Sequence, residues 1–277
     1  MGEYASMLNK RVNTWGATTG YCAICRSFGQ LTQDHVPPKG CGNVKDVTLQ
    51  TLLQHMVRSK IKRHSQHGVQ FRTLCSNCNN NLLGARYDPE LIRLYNSVSE
   101  LGDKVRQNKT YLPRNFFCEI KPQRLVRAVV GHLLAAHSIN FLSNGDKLPP
   151  FYDSLSKYFL GESEHFPENI EIYYWFYPYR SYKVAKSTAV ASLSWSGYLF
   201  GDVIKFFPVA FWLVMDKPAH INIPHNLLLV DKTMDIDSKV EFQLNLKNTP
   251  NVNYPEMPDK DGIILMSEDA SSVGFQK

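Results

Sequence analysis

The sequence predicts an α+β protein: a small front module clamped by cysteines, then a helical connector, then an antiparallel α+β domain. Three observations predict it. Two Cys-x-x-Cys pairs, Cys22/Cys25 and Cys75/Cys78, bracket the front of the chain. Apolar residues recur with helical spacing as far as about residue 142 and with period two beyond about residue 170. Charge divides the same way. Residues 1–112 hold 15 Lys/Arg against 7 Asp/Glu, a balance of +8, whereas residues 113–277 hold 16 against 18, a balance of −2. The expected division is therefore 1–112 and 113–277, and the basic part is the one suited to a polyanion.

Element by element, residues 20–32 read as a short hairpin carrying the first cysteine pair. Residues 47–61 show helical spacing, with Leu49, Leu52, Leu53, Met56 and Val57 on one face. Residues 71–74 are a short extended run into the second pair. Asp88-Pro89 reads as a helix start, Asp as N-cap and Pro at the first helical position. Leu91, Leu94, Tyr95, Val98 and Leu101 give that helix its apolar stripe, and Gly102 can end it. A polar linker at 103–114 precedes a second helix at about 122–142. Strands are expected near 170–178, 184–193, 198–205, 209–215, 226–230 and 239–246, and the polar last thirty residues are expected to be partly without regular structure. The run Tyr173-Tyr174-Trp175-Phe176-Tyr177 reads as core rather than as a base-stacking surface.

Several classes find no support. Residues 1–20 lack the apolar core of a signal peptide, and the most apolar run, 203–215, is broken by Lys205 and Pro208 and is short of the ~20 residues of a membrane span. The expectation is a soluble cytoplasmic protein that does not engage a membrane. No phosphate-binding loop, dinucleotide fingerprint or Ser-His-Asp order is present.

Four cysteines in two tight turns can close a tetrahedral Zn²⁺ shell with no open position, which marks the ion as structural. The 49 residues between Cys25 and Cys75 exceed the spacing of a simple ribbon, so that loop must hold something of its own. Buried thiols or a redox pair are the alternatives. Cys41 and Cys118 fall outside the pattern.

Within the loop stands Asp34-His35-Val36-Pro37, and Asn79 directly follows the last cysteine; Leu83-Gly84 and Asp88-Pro89-Glu90 come next. In this order the motifs resemble the HNH, or ββα-metal, endonucleases, and among them the treble-clef members of the phage recombination endonuclease VII type, over residues 20 to about 100. The resemblance implies that Asp34 and Asn79 hold a catalytic Mg²⁺ or Mn²⁺ and that His35 is the general base. The residue types suit those roles: a hard cation takes oxygen ligands, and a base near neutral pH is an imidazole. Neighbours on a strand point to opposite sides, so Asp34 and His35 need an irregular turn to serve one phosphate. Pro37 occupies the place where many relatives have a second His, and Gln70 stands in for the middle Asn that braces the catalytic loop, or that brace is absent. The 39 residues between His35 and Cys75 imply an inserted helix.

That insert carries Arg58, Lys60, Lys62 and Arg63, with Arg72 beyond it and no acidic residue between Thr48 and Ala85, a pattern suited to phosphate contact. His55, His64 and His67 read as phosphate or surface contacts, and His132 and His137, five apart, receive no role. The function expected is endonucleolytic cleavage of DNA, with RNA left open, in phage defence or restriction. The second domain would select the target, sense a signal, or supply a homodimer or partner-protein interface. The alternative is a catalytically inert zinc treble-clef module that binds nucleic acid or protein.

Overall fold

The computed structural model describes residues 17–44, 46–60, 62–137, 145, 147–228, 230, 234–257, 262–266 and 271–276. It is a mixed α/β fold in which every strand pairing among the described residues is antiparallel. At the front, β1 (Thr19–Tyr21), β2 (Phe28–His35) and β5 (Gln70–Cys75) form a three-stranded sheet in the order β1-β2-β5. A helical stretch follows without a break: α2 (Asn77–Tyr87), wide and π-helical, runs into α3 (Asp88–Arg106). The Asp88 N–H reaches the Leu83 carbonyl, one residue further back than in an α-helix. Asp88 is thus not an N-cap; its carboxylate is turned elsewhere.

The larger sheet is built mainly from the second half: β7 (Ile170–Phe176), β8 (Ser181–Ser192), β9 (Gly197–Phe206), β10 (Val209–Met215), the short β11 (Asn226–Leu227), and β13 (Ile263–Met266) beside β8. A separate ribbon pairs β6 (Asn115–Ile120) with β12 (Val240–Asn245). Four of the expected strands, at 170–178, 198–205, 209–215 and 239–246, fall within one or two residues of these bounds, because runs rich in β-branched and aromatic residues mark them in the sequence, although burial along β7, β9 and β10 is nearly continuous. Tyr173, Trp175 and Tyr177 pack in a cluster with Trp212 on one face, while Ile172 and Tyr174 join the main core on the other. The aromatic run is core.

Within the tail, β14 (Ser272–Gln276) is inserted between β8 and β3 (Val47–Thr51). One expectation changes: the inserted segment is not a basic helix. Val47–Thr51 is a strand, paired on its other side with β4 (Arg63–Ser65). Among the described residues the insert's one α-helix is α1 (Leu52–Met56), started by a Thr51–Gln54 capping box and followed by Arg58 at φ 53°, beyond the helical range. Helical spacing at 47–61 gave way to sheet pairing with a strand more than 200 residues away, which no local window contains. The insert and the tail thereby tie the front module to the large sheet, and one core cluster holds buried residues from both sides of residue 112, from Cys22 to Leu246. No helix among the described residues is long and apolar enough to cross a membrane.

Two helices sit between the sheets: α4 (Pro122–Ala135), buried along its whole length, and α5 (Pro150–Leu160). Residues 138–142 of the expected second helix lie outside the described residues. At Gly131 a Cβ would lie 2.5 Å from Phe159 Cε2 and 2.7 Å from Leu83 Cδ1, so only glycine lets α4 approach α2 and α5 this closely.

Candidate metal centre and adjoining groove

Cys22 and Cys25 lie in the turn between β1 and β2. The Cys22 N–H bonds to the Ser27 carbonyl and the Arg26 N–H to the Cys22 carbonyl, with Arg26 at φ 59°. The Ala23 N–H bonds to the Thr73 carbonyl at 2.8 Å and fastens this knuckle to β5. Cys75 ends β5 and Cys78 opens α2. The four sulfurs lie within 4.8 Å of one another, and Cys25 and Cys75 Sγ are 3.7 Å apart. A tetrahedral shell with Zn–S bonds of ~2.3 Å has edges of ~3.8 Å, so the sulfurs already stand at ligand spacing. Four cysteines placed this way can hold a metal ion. Hydrogen bonding with Cys25, together with burial, pushes Cys22 up to about 12, while Cys25, accepting from Cys22 and Cys78, is driven down. Four thiolates cannot share this space without a cation. Cys41 is buried and Cys118 half-buried, both away from the cluster.

The strand leaving the first knuckle delivers Asp34 and His35 to opposite faces. Asp34 is buried, whereas His35 is half-exposed. The Asp34 carboxylate faces α4, where His132 Nδ1 lies 3.1 Å from Oδ2. The other ring nitrogen, Nε2, lies 2.9 Å from Asp88 Oδ1. Each ring nitrogen thus faces a carboxylate oxygen. Burial works against a charge on the ring, but Asp88 and Asp34 together override it and raise His132 to about 10, so both nitrogens carry protons near pH 7; burial in turn pushes the Asp34 carboxyl up. Asn79, in the first turn of α2, donates its Nδ2 to Thr32 Oγ1 at 2.9 Å and to the Gln33 carbonyl at 3.0 Å, directly before Asp34. Among the described residues, these bonds leave Asp34 Oδ1 and the Asn79 amide oxygen without a hydrogen bond. Asp34 and Asn79 are thus brought to the same stretch of β2, each with an oxygen to offer a hard cation.

His35 opens instead on a cavity of about 910 Å³, whose wall includes Lys39, Arg63, His64, His67, Gln70 and Arg72 and, among the described residues, no acidic one. Its cross-strand neighbour is Gln70. The Gln70 amide nitrogen lies 2.7 Å from His35 Nε2 and also donates to the His67 carbonyl. The lone pair of His35 is therefore on Nε2. Burial, and then Lys39, lower its pKa to about 4, so the ring is neutral near pH 7.

Gln70 thus contacts the His35 ring, but the backbone brace is Asn43, which sequence reasoning missed. Fully buried, it donates Nδ2 to the Pro37 carbonyl at 2.7 Å and to the Val69 carbonyl at 3.0 Å, and accepts from the Val69 N–H at 2.8 Å. It pins the turn after His35 to the strand opposite. Asn43→Ala would orphan the Pro37 carbonyl and the Val69 N–H, at about 1–3 kcal/mol each. A melting temperature within a degree of the wild type would contradict this role.

Of the basic residues singled out in the sequence, Arg63 and Arg72 line the cavity, while Arg58, Lys60 and Lys62 are exposed outside its wall. Lys39, Asp88, Asn43 and His132 were not foreseen; Asp88 carried a capping signal, and His132 sits on a helix whose spacing announces only burial. No family model, curated protein or solved structure matches this chain.

Proposed function

We propose that this chain is an HNH-type endonuclease that hydrolyses phosphodiester bonds in DNA, with a treble-clef ββα-metal core organised by a structural Zn²⁺ on Cys22, Cys25, Cys75 and Cys78. The observation that carries the reading is the division of labour around the end of β2. A neutral imidazole faces an acid-free cationic cavity, and on the other face of the same strand Asp34 and Asn79 each keep an oxygen out of hydrogen bonding. The donor set fits a hard divalent ion, and Asp34 and Asn79 are the residues that would hold Mg²⁺ or Mn²⁺, whose chemistry there is to offset negative charge on the scissile phosphate.

This chain's own residues do the rest. Because Asp34 and His35 occupy opposite faces, a phosphate served by both lies across the strand end, over the Val36–Pro38 turn that Asn43 braces. His35 Nε2 takes the proton from the attacking water, which replaces the Gln70 amide as its partner. Lys39, Arg63 and Arg72 hold the flanking phosphates. A basic cleft without acids also suits RNA, so both polymers belong in the assay.

The decisive experiment incubates supercoiled plasmid and single-stranded RNA with the zinc-loaded protein in Mg²⁺, Mn²⁺ and EDTA. Cleavage of DNA that EDTA abolishes is expected; binding without cleavage under every condition would favour the inert module. In the same preparation, Arg63→Gln with Arg72→Gln is expected to reduce the slope of log affinity against log salt by about two, one for each phosphate no longer neutralised. The exposed Arg58, Lys60 and Lys62 should contribute less, and an equal reduction from Gln substitution there would move the binding surface out of the cavity.

A further inference from the structure

The Asp34 carboxylate is held from outside the front module, and this raises the question of what His132 does. Stability gives a poor answer. A charged ring with two carboxylates, all three at least nine-tenths buried, loses much of its solvation, and apolar side chains of similar volume would fasten α4 to β2 at least as well. The contact has a direction that simple packing does not need. His132 occupies one oxygen of Asp34 and leaves the other unbonded, while Asp88 fixes the ring from its far side. The helix is brought into range at Gly131, the residue immediately before, where a side chain would collide with α2. The Thr73 hydroxyl donates to the Ala135 carbonyl at 2.6 Å and locks the end of α4 to β5.

We propose that His132 is a positioning residue for the divalent-metal site: held by Asp88, it orients the Asp34 carboxylate toward the ion, so that α4 completes a centre whose remaining residues lie in the first ninety. This rests on the reading of Asp34 and Asn79 as cation ligands. The chemistry is that of outer-shell partners in metalloproteins, which fix the orientation of a ligand without touching the ion, and whose loss weakens metal affinity or activity about 10–100-fold. It also gives the second half of the chain a part in catalysis that a separable targeting domain would not have.

The test measures Mn²⁺ binding to the full-length, zinc-loaded protein by electron paramagnetic resonance, with plasmid cleavage alongside. Four proteins are compared: wild type, Asp34→Ala, His132→Gln and Asp88→Asn. Asp88→Asn keeps an oxygen acceptor for His132 Nε2–H and so preserves the packing if His132→Gln fails to fold. Expected are one Mn²⁺ site in the wild type, its loss in Asp34→Ala, and a Kd raised about 10–100-fold in Asp88→Asn and in folded His132→Gln. Zinc content should stay at the wild-type level, and excess Mn²⁺ should restore cleavage. A structural role alone would lower the melting temperature and leave the Kd unmoved. If the wild type binds and cleaves while both outer variants keep its Kd, the positioning role is overturned and the nuclease reading stands. If the wild type neither binds Mn²⁺ nor cleaves, or if Asp34→Ala binds as the wild type does, the metal-site reading falls and takes this proposal with it.

Discussion

His35→Ala is expected to lose about 10²–10⁴-fold in cleavage rate, the range a positioned general base supplies, while keeping zinc content, fold and DNA affinity. The ring is half-exposed and spans a gap between two strands already joined by backbone bonds, so removing it should cost little stability. Its partner Gln70 keeps its bond to the His67 carbonyl. Excess Mn²⁺ should not rescue this variant, because added metal does not restore a proton acceptor; it should partly rescue Asn79→Ala, which loses an ion ligand along with its bonds to Thr32 and Gln33. The pH profile carries the same signature. A base must be unprotonated to act, and burial with Lys39 nearby keeps His35 neutral down to about pH 4. The acid limb of kcat/KM in the wild type should therefore fall near that value, with no inflection near the ordinary histidine range of about 6.5. Wild-type cleavage by His35→Ala would remove the assignment and leave a nucleic-acid-binding module in its place.

Loss of the Cys₄ metal should have the largest structural effect. Chelation of the ion, or Cys78→Ser, is expected to unfold the front sheet rather than merely loosen it. The four sulfurs join the turn before β2, the end of β5 and the first turn of α2, where the Ala23–Thr73 backbone bond and the Asn79 bonds to β2 depend on the same placement. Binding free energies of about 10–16 kcal/mol are typical of structural zinc in small modules, more than the net stability of most domains. Asn79 follows Cys78 directly and takes its place on β2 from that helix turn, so cleavage should vanish with the metal. Hydrogen exchange should show new opening at 22–36 and 70–80, while the strand pair β9–β10 stays protected by its own packing. One zinc per chain in the purified protein is the accompanying expectation. A melting temperature unchanged by chelation, or disulfides within the pairs, would assign the cysteines another role.

Much of the candidate site was legible because it is local. Each Cys-x-x-Cys pair encodes its own turn. Asp34-His35 and Cys78-Asn79 are adjacent residues, and the second-half strands are marked by runs of β-branched and aromatic residues. Phe71–Leu74 was foreseen as extended, and β5 runs Gln70–Cys75. The capping signal at Asp88 misled for the opposite reason. Asp and Pro in sequence describe a helix start well, but here a wide helical turn continues through them, and the carboxylate is drawn to a histidine 44 residues away.

What the sequence determined by itself is therefore the set of short-range devices: the two knuckles, the strand carrying Asp34 and His35, the helix bearing Asn79, and a front half rich in cations. What only the tertiary structure decided is which distant groups meet them. The sequence places Asn43 eight residues beyond His35 with no signal of its role; only folding sets its amide between the Pro37 carbonyl and Val69. Residues 47–51 had helical spacing and became a strand because β14, at the far end of the chain, offered them a ladder. His132 looked like one more buried residue on an apolar helix, and it became the partner of both Asp34 and Asp88. The physical reason is common to all three. Local propensities are worth tenths of a kcal/mol per residue, whereas a buried amide, strand edge or charge left without its partner costs one to several. The partner that removes this cost is chosen by the folded chain and lies beyond the reach of any local window.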